Sequence, residues 1–134
     1  MIKVFNFLFL LISIFAAISL NASPKKLLSN YNFFENIEKQ IPNENTIPYH
    51  IASPLFSDYT YKFRFISMQH GKLAQYNHDK VFNFPTGTKI IKTFAYPIDD
   101  RDLSKGFQFL ETRLLIKNES GWFPLSYIWN ENQN

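Results

Sequence analysis

Cysteine is missing from this chain altogether, and only four glycines occur among its 134 residues. Without thiols no disulfide can brace the fold in an oxidising compartment. No thiolate metal site can form, and no C-x-x-C-H segment can attach a haem covalently. A G-x-S-x-G elbow is absent as well, so nothing advertises a serine or cysteine nucleophile. Histidine is sparse: His50, His70 and His78 show neither HxH nor HxxxH spacing, whereas a zinc site needs three or four ligands. Charge of one sign is also scarce. Fourteen Lys and Arg against eleven Asp and Glu leave a net charge of +3, too weak and too dispersed for a nucleic-acid partner. No internal repeat or low-complexity segment is present.

What the chain does have begins with one long apolar run. "MIKVFNFLFLLISIFAAISL", Met1 to Leu20, is basic and then apolar, and small residues follow in "NASPKK". That order reads as a secretory signal, cut after Ala22 with Ser19 as the other candidate. The run from Val4 to Leu20 is interrupted by Asn6, Ser13 and Ser19 and falls short of the roughly 20 residues a spanning helix wants. The expectation is a signal peptide over 1–22, a single β-rich domain over 23–134, a periplasmic or secreted location, and no stable membrane insertion after cleavage.

Past the signal, "LLSNYNFFENIEKQI" places apolar residues at 27, 31, 34, 37 and 41, near a helical period. A short helix capped by Ser29 or Asn30 is expected there. Pro42, Pro48 and Pro54 then argue for an extended covering segment without regular structure. From Asp58 the period becomes two. In "LFSDYTYKFRF", Tyr61, Phe63 and Phe65 fall on one face and Lys62 and Arg64 on the other, the mark of a half-buried strand rather than of one mixed binding stripe.

A hairpin is expected at His70-Gly71, returning over Leu73 to Tyr76, and then a short strand "VFNF" with Val81 or Phe82 inward. "KIIKTFAY" and "FLETRLLIK" read as strands. In the second, Leu110, Thr112, Leu114 and Ile116 share one face, with Glu111, Arg113 and Lys117 on the other. "NESG" turns the chain, and "WFPLSYIWN" returns with Phe123, Leu125, Tyr127 and Trp129 alternating with Trp122, Ser126 and Ile128. Pro124 puts that strand at an edge or a bulge. The expected fold is all-β, an antiparallel β-sandwich or partly open barrel with a short N-terminal helix.

Few constellations suggest chemistry. The acidic loop Asp99 to Asp102 offers oxygens for calcium but lacks EF-hand spacing and contains Arg101. Lys92, Glu111 and Arg113 suit a cross-strand charge ladder, in which a carboxylate between two cations stays ionised. No catalytic residue, metal site or cofactor is expected.

Four segments carry a family resemblance: "LLSNYNFF", "PYHIASPLFSDYTYKFRF", "VFNFPTGTKIIKTFAYP" and "LETRLLIKNESGWFPLSYIWNENQN". They resemble bacterial exported proteins, mostly uncharacterised, many described as diheme c-type cytochromes, in which such a β-rich region precedes a cytochrome c domain. The signature positions the resemblance implies include Pro54, Ser57, Asp58, Lys62, Gly87, Lys92, Glu111, Arg113, Trp122, Tyr127, Trp129 and Asn130. This chain stops at "WNENQN", where the family runs on to its haem segment. The resemblance therefore implies a separate haem protein, or a missing C-terminal cytochrome domain, as partner. The functional expectation is a non-enzymatic docking or scaffold module of a c-type cytochrome system. The alternative is a carbohydrate or small-ligand binding module using Trp122, Tyr127 and Trp129 as stacking rings. An enzyme would need a cleft joining Asp58, Lys92 and Glu111.

Overall fold

A computed structural model describes residues 24–132; the expected signal segment lies outside them. The strands are β1 (Phe34–Asn36), β2 (Ile41–Pro42), β3 (Thr46–Pro48), β4 (Tyr61–Ser67), β5 (Lys89–Pro97), β6 (Phe107–Asn118) and β7 (Gly121–Ile128). They form an antiparallel β1-β2 pair and a five-stranded antiparallel sheet in the order β3-β4-β5-β6-β7. The large sheet keeps two edges, β3 and β7, and is not closed into a barrel. The all-β architecture is the one the period-two patterning calls for. Among the described residues no helix is long and apolar enough to cross a membrane.

β5 is the spine of the large sheet. It pairs with β4 from Tyr61↔Ala95 to Ser67↔Lys89 and with β6 from Lys89↔Ile116 to Pro97↔Phe107. Its inward residues Ile91, Thr93 and Ala95 are fully buried. Around them lie Phe65, Phe109, Thr112, Leu114 and Ile116, all buried. Phe33 and Phe34 close this face from outside the sheet, with the Phe34 ring edge-on to Phe65 at 5.1 Å. Burying an aromatic ring of this kind contributes about 1.5–3 kcal/mol.

Two threonines sit where aliphatic residues would be expected. Thr93 and Thr112 are directly paired in register, and their hydroxyls lie 2.8 Å apart. The indole Nε1 of Trp129 donates to Thr112 Oγ1 at 2.9 Å. The hydroxyls are therefore satisfied inside the core, which removes most of the cost of burying them.

Several expectations are corrected. The helix shrinks to a single 3-10 turn, Leu28–Tyr31, ended by Asn32 in a left-handed conformation (φ 54°). Beyond it the chain forms the β1-β2 pair, and Leu27 and Ile41 point to solvent instead of lying on one helical stripe. The adjacent rings Phe33 and Phe34 are both buried, and Asn43 ties the segment down through bonds to the Phe33 and Asn32 carbonyls.

The proline-rich segment is not structureless either. Pro42 lies in β2 and Pro48 ends the edge strand β3, a place where a missing N–H is tolerated. The expected Leu73–Tyr76 and Val81–Phe84 strands reduce to one bridge, Gln75↔Asn83, and both Val81 and Phe82 are exposed.

In β6, a bulge opposite Phe94/Ala95 makes Leu110 the extra residue. Glu111 faces Phe94 and Phe109 faces Ala95, so Phe109 takes the core position expected of Leu110. Gly87 explains its own presence: its φ of +89° suits glycine, and an added Cβ would stand 3.2 Å from Gln69 Nε2.

Phe65→Ala should cost about 3–5 kcal/mol in denaturant unfolding, and Lys62→Ala on the opposite face less than about 1 kcal/mol. Comparable losses at the two positions would overturn the assignment of faces. Thr112→Val leaves the Trp129 indole N–H and the Thr93 hydroxyl without their partner. It should cost about 1–3 kcal/mol and change the tryptophan fluorescence of the native state.

Candidate functional site

The face of the large sheet turned away from Phe33 and Phe34 carries three rows of side chains, set by strand register. The first row is apolar: Ile66, Ile90, Leu115 and Pro124 across β4 to β7, with Ile47 of β3 beside Ile66. The second is cationic: Arg64, Lys92 and Arg113 in direct register, ending at Ser126. The third runs Lys62, Phe94, Glu111 and Ile128. Neighbouring strands lie about 4.7–4.9 Å apart, and like charges directly opposite each other destabilise a sheet. The second row does this twice.

The structure shows how the row is tolerated. Phe94 lies beneath two of its members, with Lys92 Nζ 4.5 Å and Arg113 Cζ 4.8 Å from the ring centroid. Both distances fall within cation–π range. Arg113 also grips Glu111 with two parallel bonds, Nε to Oε1 and Nη2 to Oε2, each 2.9 Å. Lys62 turns aside to the Leu55 carbonyl at 3.0 Å, and Arg64 Nη1 donates to the Lys62 carbonyl at 3.2 Å. The hydrogen bonds from Arg113 hold Glu111 below the usual carboxylate range. Burial, then Arg64, Lys62 and Arg113, push the Lys92 ammonium below the usual lysine range.

The expected ladder of Lys92, Glu111 and Arg113 is thus half realised. Glu111 and Arg113 pair along one strand. Lys92 stands opposite Arg113 and Arg64, and Phe94 occupies the place across from Glu111. Sequence reasoning missed Phe94 although the signal was available, since Lys92 and Phe94 lie two apart on one strand.

The chain after β3 walls the face on one side. Tyr49, whose N–H donates to the Arg64 carbonyl at 3.0 Å, is followed by Ile51, Ser53 and Leu55 along a groove of about 440 Å³. Arg64, Lys92 and Arg113 line the groove together with Ile90, Leu115 and Pro124. Asp58 and Glu111 do not line it, so the three residues that would define a catalytic cleft are not brought together there.

The loop that ends this wall contains the signature residues Pro54, Ser57 and Asp58. Asp58 and Tyr59 have φ of 42° and 59°, a conformation that costs energy for non-glycine residues. The Ser57 carbonyl holds the turn by accepting from the Thr60 N–H and hydroxyl. The turn projects Leu55, Phe56 and Tyr59 into solvent, 79, 67 and 83% exposed, with the two rings edge to face.

The remaining signature residues lie elsewhere. Trp122 is on the edge strand, packed edge-on to Phe84 with Lys117 over its ring. Tyr127 and Trp129 are half-buried on the core side, and Asn130 is exposed beside them. Together with 26–29 they border a second cleft of about 340 Å³. The Tyr127 hydroxyl donates to the Lys25 carbonyl at 2.6 Å and lies 3.2 Å from the Tyr31 hydroxyl. Burial and Tyr31 raise its pKa.

The acidic loop closes on itself: Asp99 accepts from Lys105 Nζ and the Arg101 N–H, and Asp102 accepts from Ser104. His78 pairs with Asp79 in solvent. No group of three His, Asp or Glu side chains suited to a metal occurs among the described residues.

No family model, curated protein or solved structure matches the chain.

Glu111 and Lys92 both make stability rise with pH, one in the acid range and the other in the alkaline range. Glu111 is more acidic folded than unfolded, so its stabilisation is complete at neutral pH and disappears as pH falls through its folded pKa. Lys92 sheds its proton more easily folded than unfolded, so its penalty is full at neutral pH and lifts as pH rises from that lowered pKa toward the ordinary lysine range. Glu111→Gln should flatten the acid limb of a stability-versus-pH curve, and Lys92→Gln the alkaline one. An unchanged limb in either variant contradicts the stated electrostatics.

Proposed function

We propose that this chain is an exported, non-enzymatic β-domain that docks an acidic, haem-bearing partner of the c-type cytochrome class in the periplasm or outside the cell. The observation that carries the reading is the apolar knob of Leu55, Phe56 and Tyr59 beside the cationic sheet face. Solvent-exposed aromatic clusters of this kind, set next to charge of one sign, are what transient interfaces use: the rings anchor and the charges steer. Within the three rows the cations Lys62, Arg64, Lys92 and Arg113 stand against one carboxylate, Glu111, so the complementary partner surface is acidic. The resemblance to exported proteins with a following cytochrome domain supplies the partner class, and the leader-like Met1 to Leu20 supplies the location.

The carbohydrate reading draws less support. Of its three rings, Tyr127 and Trp129 are half-buried and have their polar atoms engaged within the domain. Trp122 remains as the exposed one.

The test is titration of the domain with an acidic c-type cytochrome at low and physiological salt. Binding should weaken as salt rises. Phe56→Ala should lower affinity about 5- to 30-fold, the range of an anchoring aromatic. Binding that ignores salt, or an acidic haem-free protein of matched charge that binds equally well, would overturn the assignment.

A further inference from the structure

The groove over the cationic row has a feature that docking does not require. Its polar and apolar walls are sorted. Arg64, Lys92 and Arg113 lie in one line across three strands, and Ile90, Leu115 and Pro124 lie in the next line, parallel to it. Ile51 and Leu55 border the apolar side. A volume of about 440 Å³ falls within the roughly 300–1,000 Å³ typical of small-ligand sites.

Three cations in direct register repel one another, and an anion set among them relieves that repulsion. Both oxygens of Glu111 already accept from Arg113, and Lys92 on β5 stands between Arg64 of β4 and Arg113 of β6. Its ammonium is held over the Phe94 ring rather than by a carboxylate. A ligand oxyanion set between Arg64 and Lys92 would relieve the repulsion and receive charge-assisted hydrogen bonds. Whatever carries the oxyanion would then extend over the apolar row.

We propose that this groove is a binding site for a small amphiphilic oxyanion, a carboxylate or phosphate head on an alkyl or aromatic stem. The head lies between Arg64 and Lys92 and the stem lies along Ile90, Leu115 and Pro124, under Ile51 and Leu55. Arg113, already fixed by Glu111, contributes field rather than a direct bond. The proposal shares Arg64, Lys92 and Leu55 with the docking reading, but it concerns a free small molecule and its probes contain no protein, so the two can fail separately.

The test uses the 23–134 chain and four probes: octanoate, octyl phosphate, inorganic phosphate and 1-octanol. Calorimetry reads affinity, and amide NMR shifts read position. Octanoate and octyl phosphate should bind saturably and shift amides of β4, β5 and β6 around Arg64, Lys92 and Leu115. Inorganic phosphate should bind more weakly and 1-octanol more weakly still; the stronger of the two octyl probes identifies the head group.

Lys92→Gln removes a like charge, so the fold should be retained, while octanoate and octyl phosphate affinities should fall by at least about tenfold, the loss expected for a charge-assisted hydrogen bond. Leu115→Ser should weaken both octyl probes and leave inorganic phosphate unchanged. Lys105→Gln, on the distant loop, should change nothing. The site is refuted if neither octyl anion binds saturably, if 1-octanol binds as tightly as octanoate, or if Lys92→Gln keeps wild-type affinity. Cytochrome binding that survives any of these failures leaves the docking proposal standing by itself.

Discussion

The packing of Phe33 and Phe34 onto one face of the five-stranded sheet is the constraint on which the rest of the molecule depends. The central strands present apolar residues on both faces: Phe65, Ile91, Leu114 and Ile116 on one, and Ile66, Ile90, Phe94 and Leu115 on the other. Among the described residues the turn and β1-β2 pair carry the two rings onto the first of these faces. Whichever face that element covers becomes the core, and the other is left as a half-apolar surface. The threonine pair Thr93–Thr112, with Trp129 bonded to it, belongs to the covered face, where water is excluded and hydroxyls must find each other.

The uncovered face follows a different logic. Charges are tolerable there because solvent and salt screen them, and three cations can stand in register at a modest cost. The Phe94 ring and the Glu111 carboxylate lower that cost without removing it. Natural sheets usually place opposite charges across strands. A row that does the reverse, beside an apolar row and beneath an arching segment, is the arrangement that both the docking and the small-anion readings build on.

Much of the fold was legible. Period-two patterning from Asp58 onward marked β4 to β7, the "NESG" turn marked the hairpin that closes at Asn118↔Gly121, and Pro124 marked an edge strand. Less of the site was legible. Lys92, Glu111 and Arg113 could be assigned to one face, yet their pairing depended on the β5-β6 register, which sets Arg113 opposite Lys92 and Glu111 opposite Phe94. The helix expected over Leu27 to Ile41 failed because apolar spacing is the same evidence whether those residues lie on one stripe or are shared between a turn and a strand pair. Asn32 in a left-handed conformation, with Asn43 reaching back to it, breaks the helix, and neither residue signals that in isolation. Val81 and Phe82 show the converse: their residue types favour a strand, but no neighbouring strand is there to pair with.

The class is written in the residue pattern: an all-β chain without thiols, with strands whose two faces differ and whose turns sit at Gly and Pro. Alternation along a strand is a property of the backbone, so it is written locally. Tertiary structure alone decided which face is covered, which cation meets which partner, and that Phe94 lies between Lys92 and Arg113. Those outcomes depend on register, and register is set by how strands far apart in the chain come to lie side by side.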